Sequence, residues 1–415
     1  MNYSRIMQYA QDMVHGAIAQ HSLKSKLILF SARTIMRLPS LIVAAAVLVL
    51  AACSTPPKPP TTVTPQGQSP QPHYLRSQWQ MLPGWQSSDF RSAWPAWVAS
   101  CRVLEKRAGW EQVCRQAQGV DSRDAQAIRA YFESQFLPYR LMDQSYRHTG
   151  LVTGYYEPLL RGSLQRTAEA RYPIYGIPSD LVSKGTQRGR IENGKWLPYY
   201  SNVEIAQGFG PRSEQALAWV TDPIELLFLQ IQGSGRVELP DGRHLRVGFA
   251  DHNGFAYQSV GRWLIDRGEL KPNEASMQGI KAWAQANPQR LNELLAANPR
   301  YVFFRRLADA PTHQGPPGAL GVPLTPEHSV AIDPRYTPLG APIWLDTTLP
   351  LSSQPLQRLV FAQDTGSAIK GAVRADFFWG FGAKAGEVAG RMKQPGQMWT
   401  LLPRGVLPPA GVAIY

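Results

Sequence analysis

The sequence predicts a mainly β fold with helical decoration, and three of its features carry that expectation. From about residue 150 the text breaks into short runs rich in β-branched and aromatic residues, LVTGYYEPLL, RYPIYGIP, LAWVTD, IELLFLQIQGSGRVEL and HLRVGFA, punctuated by Gly and Pro. One helical interruption follows at about 274–298, where Ile280, Trp283, Leu291, Leu294 and Leu295 recur at helical spacing, and strands resume from 301. So many short strands in one chain point to barrels, which remove exposed sheet edges. The 415 residues, 44% hydrophobic and 18% charged, have globular composition and room for two or three domains.

At the N-terminus, Leu41 to Ala52 is an apolar run too short for a bilayer, which needs about 20 residues, so it reads as the core of a signal peptide. It ends in Leu50-Ala51-Ala52-Cys53, which resembles the lipobox of bacterial lipoproteins. That resemblance implies cleavage before Cys53 and lipidation of its thiol. The alternative is an ordinary secretory peptide with a chance cysteine. Lipobox signal peptides are short, so translation is expected to start at Met36, and residues 1–52 comprise a surplus N-terminus plus the signal peptide. Residues 54–72, with seven prolines, form a semi-rigid tether. In polyproline II, at about 3.1 Å per residue, it would span roughly 60 Å. Residues 53–75 are therefore assigned to the anchor and spacer.

The next stretch, 88–138, reads as helical. Phe90, Trp94, Trp97, Val98 and Cys101 recur at three- and four-residue spacing, with Pro95 expected to break the first turn. A second helix, capped near Ser122, carries Ala125, Ile128, Tyr131 and Phe132 on one face. With Cys53 assigned to lipid, Cys101 and Cys114 remain. They either staple two short helices in an oxidising compartment or stay as buried thiols.

Charge and motifs exclude several classes. Residues 1–52 hold five Lys or Arg and one Asp, and their removal lowers the formal charge from +13 to +9. That excess favours a polyanionic or carboxylate-bearing partner, while no nucleic-acid motif is present. Eight scattered histidines without HExxH or paired cysteines argue against a metal. No Walker loop or dinucleotide fingerprint calls for a cofactor. Ser234 sits in Ile231-Gln232-Gly233-Ser234-Gly235, with Gln where a nucleophile elbow needs Gly.

The run 362–380, AQDTGSAIKGAVRADFFWG, holds Asp364-Thr365-Gly366-Ser367, the tetrapeptide of pepsin-like proteases. Such a protease needs two carboxylates sharing a proton, one from each lobe. The nearest second copy, Asp346-Thr347-Thr348, lacks the glycine, and Gln363 replaces the usual apolar residue before the aspartate. The protease reading fails on both counts.

Gly154-Tyr155-Tyr156-Glu157-Pro158, Phe228-Leu229-Gln230-Ile231-Gln232-Gly233-Ser234-Gly235, the run HNGFAYQSVGRWLIDRGEL at 252–270 and the stretch 362–380 together resemble the membrane-bound lytic murein transglycosylase A family, in that family's order, over about 75–415. The resemblance implies a double-psi β-barrel built from 76–153 plus 306–415, interrupted by a β-rich domain at 154–305, with a glycan groove between them. It implies non-hydrolytic cleavage of peptidoglycan between MurNAc and GlcNAc, leaving 1,6-anhydromuramyl ends. It also implies an outer-membrane lipoprotein facing the periplasm, since Ser54 lacks the aspartate that retains lipoproteins at the inner membrane. The partners expected are glycan strands, the outer membrane through the lipid, and murein synthase or divisome proteins.

Most glycosidases need two carboxylates. A lytic enzyme takes its nucleophile from the muramyl C6 hydroxyl, so one carboxyl group can act as acid and then as base. That group must begin protonated, which an apolar setting favours. Asp376, followed by Phe377, Phe378 and Trp379, fits, and it matches the family's acid/base position. Asp364, with Thr365 and Gly366, is expected to shape the groove and bind substrate. Lys370 and Arg374 either meet glycan carbonyls and carboxylates or lie on solvated surface. Gln230, Gln232, Gly233 and Ser234 either offer donors to acetamido groups or form a plain hairpin. Tyr155, Tyr156 and Glu157 either line the groove or anchor the domain junction. Two other readings stay open: a glycan hydrolase using Asp364 or Glu157 as a second carboxylate, and a murein-binding lipoprotein that does not cleave.

Overall fold

A computed structural model describes residues 73–311 and 313–409. The signal segment, Cys53 and the Pro-rich tether lie outside these described residues. In chain order, β1 (His73–Arg76), α1 (Trp94–Leu104), α2 (Glu111–Ala117) and α3 (Ala125–Gln135) lead to β2 (Phe136–Met142) and β3 (Gly150–Glu157). The middle of the chain holds β4 (Leu159–Ser163), β5 (Tyr172–Tyr175), β6 (Val182–Lys184), β7 (Gln187–Glu192), β8 (Lys195–Pro198), α4 (Asn202–Ala206), β9 (Ala216–Val220) and α5 (Pro223–Gln232). It continues with β10 (Ser234–Glu238), β11 (His244–His252), α6 (Val260–Asp266), α7 (Met277–Ala286), α8 (Leu291–Ala296) and β12 (Val302–Arg306). The last elements are β13 (Ser329–Ile332), β14 (Pro342–Thr348), β15 (Pro355–Thr365), β16 (Arg374–Phe381), α9 (Gly382–Ala389) and β17 (Lys393–Pro403).

The expectation of a mainly β chain with a barrel holds. Strands β17, β14, β15, β13, β16 and β3 pair in that order, and β3 pairs again with β17, so six strands close into a ring. The β1–β2 pair extends from β17. Closure leaves these strands no open edge. Alternation along them sorts side chains onto two faces. Val152, Val330, Ile332, Ala375 and Phe377 join the main core, whereas Tyr155, Ala331 and Phe378 turn away into a smaller cluster with Leu324 and Ile369.

Helices α1 to α3 pack on this barrel through aromatic residues. The Trp97 ring of α1 stacks on Phe361 at 5.9 Å, and Trp85, in a 3-10 turn ahead of α1, meets Trp344 edge-on at 5.1 Å. Cys101 and Cys114 are bonded across α1 and α2, with their Cα atoms 5.2 Å apart. Pro95 does not break the helix as expected; it lies in the first turn of α1, where its missing N–H costs nothing. The cap of α3 is Asp124, which accepts from Gln126 N at 2.8 Å, and not Ser122.

The second sheet orders β12, β11, β10, β4, β9 and β5, and β6 to β8 form a three-stranded sheet. The run 224–239, expected as strand, is α5 followed by β10. Asp222 caps α5, accepting from Ile224 N at 2.7 Å, with Pro223 in the first turn and Gly233 beyond the last at φ 80°. Its apolar text is continuous because both faces are buried: Leu226 and Leu229 against the sheet, Ile224, Leu227 and Phe228 against α6 and α7. Helices α6 and α9 were not anticipated either. Both are short, of 7 and 8 residues, and lie inside text read as motif or strand.

Candidate active site

Strands β15, β13, β16 and β3 lie side by side, and their register brings the key residues together. Ala331 on β13 pairs with Asp364 on one side and Asp376 on the other, and Asp376 pairs in turn with Thr153. Paired residues share a face, so Asp364, Ala331, Asp376 and Thr153 form one row across the barrel's outer surface. Tyr155 and Phe378 form the next row, their rings 5.1 Å apart.

Alternation corrects one expectation. Phe377 and Trp379 do not surround Asp376. Phe377 points into the barrel core, and the Trp379 ring lies 4.8 Å from it with Nε1 donating to Met392 Sδ at 3.2 Å. The apolar neighbour on the face of Asp376 is Phe378.

Burial pushes the Asp376 carboxyl above the usual carboxylate range, opposed by the Thr153 hydroxyl and the Arg374 charge and assisted by the charge of Asp364. Thr153 Oγ1 donates to Asp376 Oδ1 at 2.6 Å and accepts from Arg374 Nη2 at 2.9 Å. Among the described residues no other hydrogen bond to this carboxyl is present, leaving Oδ2 for a ligand.

Asp364 is better supplied. Ala319 N donates to Oδ1 at 3.0 Å and Tyr155 Oη to Oδ2 at 2.9 Å. Burial still raises this carboxyl, against the amides of Thr365 and Ala319 and the Tyr155 hydroxyl. The Tyr155 hydroxyl itself is pushed well above the phenol range by burial and by Asp364, so it stays a donor. Gln363 occupies the core where an apolar residue was expected. Its Nε2 donates to Ala96 O and Ser100 Oγ at 2.8 and 2.9 Å, and its Oε1 accepts from Ser329 Oγ at 2.5 Å.

The amide of Ala319 comes from a strap, residues 314–324, that leads from the second sheet back to the barrel. Two buried guanidiniums hold its start: Arg236 Nη2 donates to Gln314 O at 3.1 Å, and Arg246 Nη2 donates to Gly315 O at 2.9 Å. Arg236 also forks onto Glu157 Oε2 at 2.9 and 2.7 Å. Glu157 is fully buried, and its place four residues beyond Thr153 on β3 sets it roughly 13 Å from the row of aspartates. Its carboxylate therefore belongs to the domain junction and cannot serve as a second catalytic acid.

Tyr156 is likewise an anchor. Its ring packs on Ala385 and Ala389, where a side chain added at Gly386 would come within 2.8 Å, and its hydroxyl donates to Met277 Sδ at 3.3 Å. Gln232 Oε1 accepts from Tyr156 N at 3.1 Å, which ties the end of α5 to β3. Gln230 is buried, and its Oε1 has no partner among the described residues. Gly233 and Ser234 form no hairpin: they mark the helix-to-strand change from α5 to β10. Gly366 O accepts from Ile369 N at 3.1 Å in the turn after Asp364, and Lys370 is exposed beyond it.

Thr153, Ala319, Arg236 and Arg246 were not singled out from the sequence. Thr153 meets its partner across 223 positions and Ala319 across 45, and no local pattern marks such pairings. Among the described residues no group of three or more His, Cys, Asp or Glu is arranged to hold a metal ion.

With this geometry in hand, comparison with known proteins is specific. Residues 151–305 match the family model described as MltA specific insert domain, and residues 328–402 match the 3D domain. The membrane-bound lytic murein transglycosylase A of Escherichia coli K12 is 35% identical over 256 residues, covering 60% of this chain and 64% of that protein, so the match spans less than two thirds of the curated relative. The crystal structure of MltA from Neisseria gonorrhoeae has a TM-score of 0.71 at 41% identity, covering 81% of this chain and 94% of that one. E. coli MltA with bound chitohexaose has a TM-score of 0.60 at 28% identity, covering 76% of this chain and 90% of that one. The likeness therefore extends over 94% of a solved relative at 41% identity, and the chain belongs to the membrane-bound lytic murein transglycosylase A family.

Proposed function

We propose that this chain is a lytic transglycosylase that breaks the β-1,4 bond between MurNAc and GlcNAc of peptidoglycan and leaves 1,6-anhydroMurNAc ends. The observation that carries the proposal is Asp376: a carboxyl held toward its neutral form by burial, with one oxygen tied to Thr153 and the other open. The E. coli relative with chitohexaose bound supports a groove for β-1,4-linked amino sugars. In the reaction Asp376 gives its proton to the glycosidic oxygen as the bond to muramyl C1 breaks, and GlcNAc leaves with a free hydroxyl. The carboxylate then takes the proton of the muramyl C6 hydroxyl while O6 bonds to C1. The proton count closes, and no second carboxylate or water is consumed. Asp364, held by its donors, shapes the groove and raises Asp376 through its charge.

The same reading assigns 76–153 with 306–415 to a double-psi catalytic barrel and 154–305 to the insert. It anchors the chain through lipidated Cys53 to the periplasmic face of the outer membrane, with murein synthase or divisome proteins as neighbours. Among the described residues no helix is long and apolar enough to cross a membrane. Cys53→Ser is expected to move the protein from the membrane pellet to the soluble periplasmic fraction.

A hydrolytic reading is supported by one observation. Asp364 and Asp376 sit two strands apart, roughly 10 Å between Cα atoms, a spacing that could admit a water. Both oxygens of Asp364 are already taken by protein donors, Ala319 N and Tyr155 Oη, which leaves it poorly placed to activate a water and favours the lytic route. Product ends on purified sacculi decide between them. Anhydro-ended muropeptides are expected from the wild type and from Asp364→Asn at reduced rate, and none from Asp376→Asn. Reducing ends, or full activity of Asp376→Asn, would overturn the assignment.

A further inference from the structure

A second cleft, of about 620 Å³, opens on the inserted sheet where β11 and β12 meet the segment after β5 and the start of β9, and its lining includes Ile177, Leu217, Phe249, Phe304, Arg305 and Arg306. Its floor is apolar, yet two of these side chains are exposed to water: Phe249 at 46% and Ile177 at 50%. The ring of Phe249 is aimed by a bulge. Phe249 pairs with Phe304 and Asp251 with Phe303, which leaves Ala250 as the extra residue, and bulges of this kind redirect side chains at the ends of sheets.

The rim is cationic. Arg305 and Arg306 are both exposed; their backbones pair with β11, but among the described residues neither guanidinium is engaged in an ion pair or hydrogen bond, unlike that of Arg188, whose Nε bonds Asp251 at 2.9 Å. A relay of hydrogen bonds links the wall of the cleft to the strand that carries Thr153. Phe249 N donates to Gly233 O at 2.6 Å, Gly233 ends the helix carrying Gln232, and Gln232 reaches β3 at Tyr156, three residues along from the partner of Asp376.

We propose that this cleft is a subsite for a short acidic peptide, and that in the peptidoglycan reading, on which this inference rests, the occupant is the stem peptide hanging from a muramyl residue in the groove. The chemistry matches part for part. Methyl-sized side chains and backbone lie over Phe249 and Ile177, and free carboxylates meet unpaired guanidiniums that can hold them by two N–H donors each. A bare glycan strand offers polar hydroxyls and acetamido groups and has no anion for the two arginines.

The test compares sacculi carrying intact stem peptides with glycan strands stripped of them by an amidase, using Phe249→Ala and the double variant Arg305→Gln/Arg306→Gln. Both substitutions are at exposed side chains, and thermal unfolding should match the wild type. On intact sacculi kcat/KM should fall about tenfold, the size of one charge-assisted hydrogen bond, while stripped strands should be cleaved at the wild-type rate. Equal losses on both substrates, or no loss on either, overturns the inference. Binding of a synthetic stem tetrapeptide, followed by calorimetry, reads the cleft without catalysis. Wild-type binding that both variants lose supports the subsite even if no anhydro product is released, an outcome that would sink the lytic reading alone. Absence of wild-type binding at millimolar peptide counts against the subsite even if cleavage is normal.

Discussion

Asp364 and Asp376 stand on one face of one barrel, a strand to either side of Ala331, and their surroundings treat the two carboxyls differently. Burial raises both. At Asp364 two amides and a phenol oppose that rise, so the ionised form is solvated by fixed protein donors. At Asp376 one hydroxyl and a neighbouring guanidinium oppose it, and the charge of Asp364 adds to it. Equal burial therefore does not mean equal chemistry. The supply of donors decides which carboxyl holds the turn together and which is free to exchange a proton.

The largest expected effect separates the two by activity. Asp376→Asn should lower kcat by about 10³-fold or more, within the range ascribed to acid–base groups. It should also retain or gain thermal stability. A carboxyl raised above its unfolded value favours folding at acid pH, and that advantage is lost as pH rises through the folded value. Asparagine carries no charge to bury at neutral pH and so escapes the loss. A scan of melting temperature against pH should flatten for this variant; a collapse of its folded state would show that Asp376 is structural.

Asp364→Asn sharpens the comparison by moving in the opposite direction. Its amide nitrogen would face at least one donor among Ala319 N, Thr365 N and Tyr155 Oη, so it should unfold below Asp376→Asn by about 1–3 kcal/mol, the cost of an unsatisfied buried polar group. Equal melting temperatures in the two variants would remove the distinction between a supporting and a working carboxyl.

Much of this contrast is invisible in the sequence, and the reasons are physical. The two aspartates are readable as candidates because they lie twelve residues apart in a run of glycine and aromatic text. Their shared face is not, because it depends on a strand, Ser329–Ile332, inserted between them by pairing over more than thirty positions. The aromatic residues after Asp376 suggested desolvation by three rings; alternation leaves Phe378 on its face and turns Phe377 inward. The barrel was legible from many short strands, while α5 was missed because a helix buried on both sides has no polar stripe. Its ends were written plainly nonetheless, as Asp222-Pro223 and Gly233. Glu157 looked available for chemistry because its fork to Arg236 spans 79 positions.

Thr153→Val tests the supply of donors at Asp376 with a smaller effect. The hydroxyl favours the ionised carboxylate, so its removal should raise Asp376 further and carry the basic limb of the kcat/KM profile to higher pH. The rate at the optimum should change by less than about tenfold, since one hydrogen bond is altered. An unmoved basic limb would mean that a group other than Asp376 sets it.

The smallest effect, Tyr155→Phe, should move the same limb the other way. The ring of Tyr155 packs on Phe378, and phenylalanine preserves that contact, so the change is confined to one hydroxyl and Asp364 Oδ2. Without this donor Asp364 is raised and ionises less at a given pH. A neutral Asp364 no longer pushes Asp376 upward, so Asp376 falls and the basic limb retreats to lower pH. The expected change in kcat/KM at neutral pH is about threefold or less, comparable with the net worth of one neutral hydrogen bond. Opposite displacements in Thr153→Val and Tyr155→Phe would identify the two carboxyls as one coupled pair with separate supports. Displacement in the same direction would show that the charge on Asp364 does not reach Asp376.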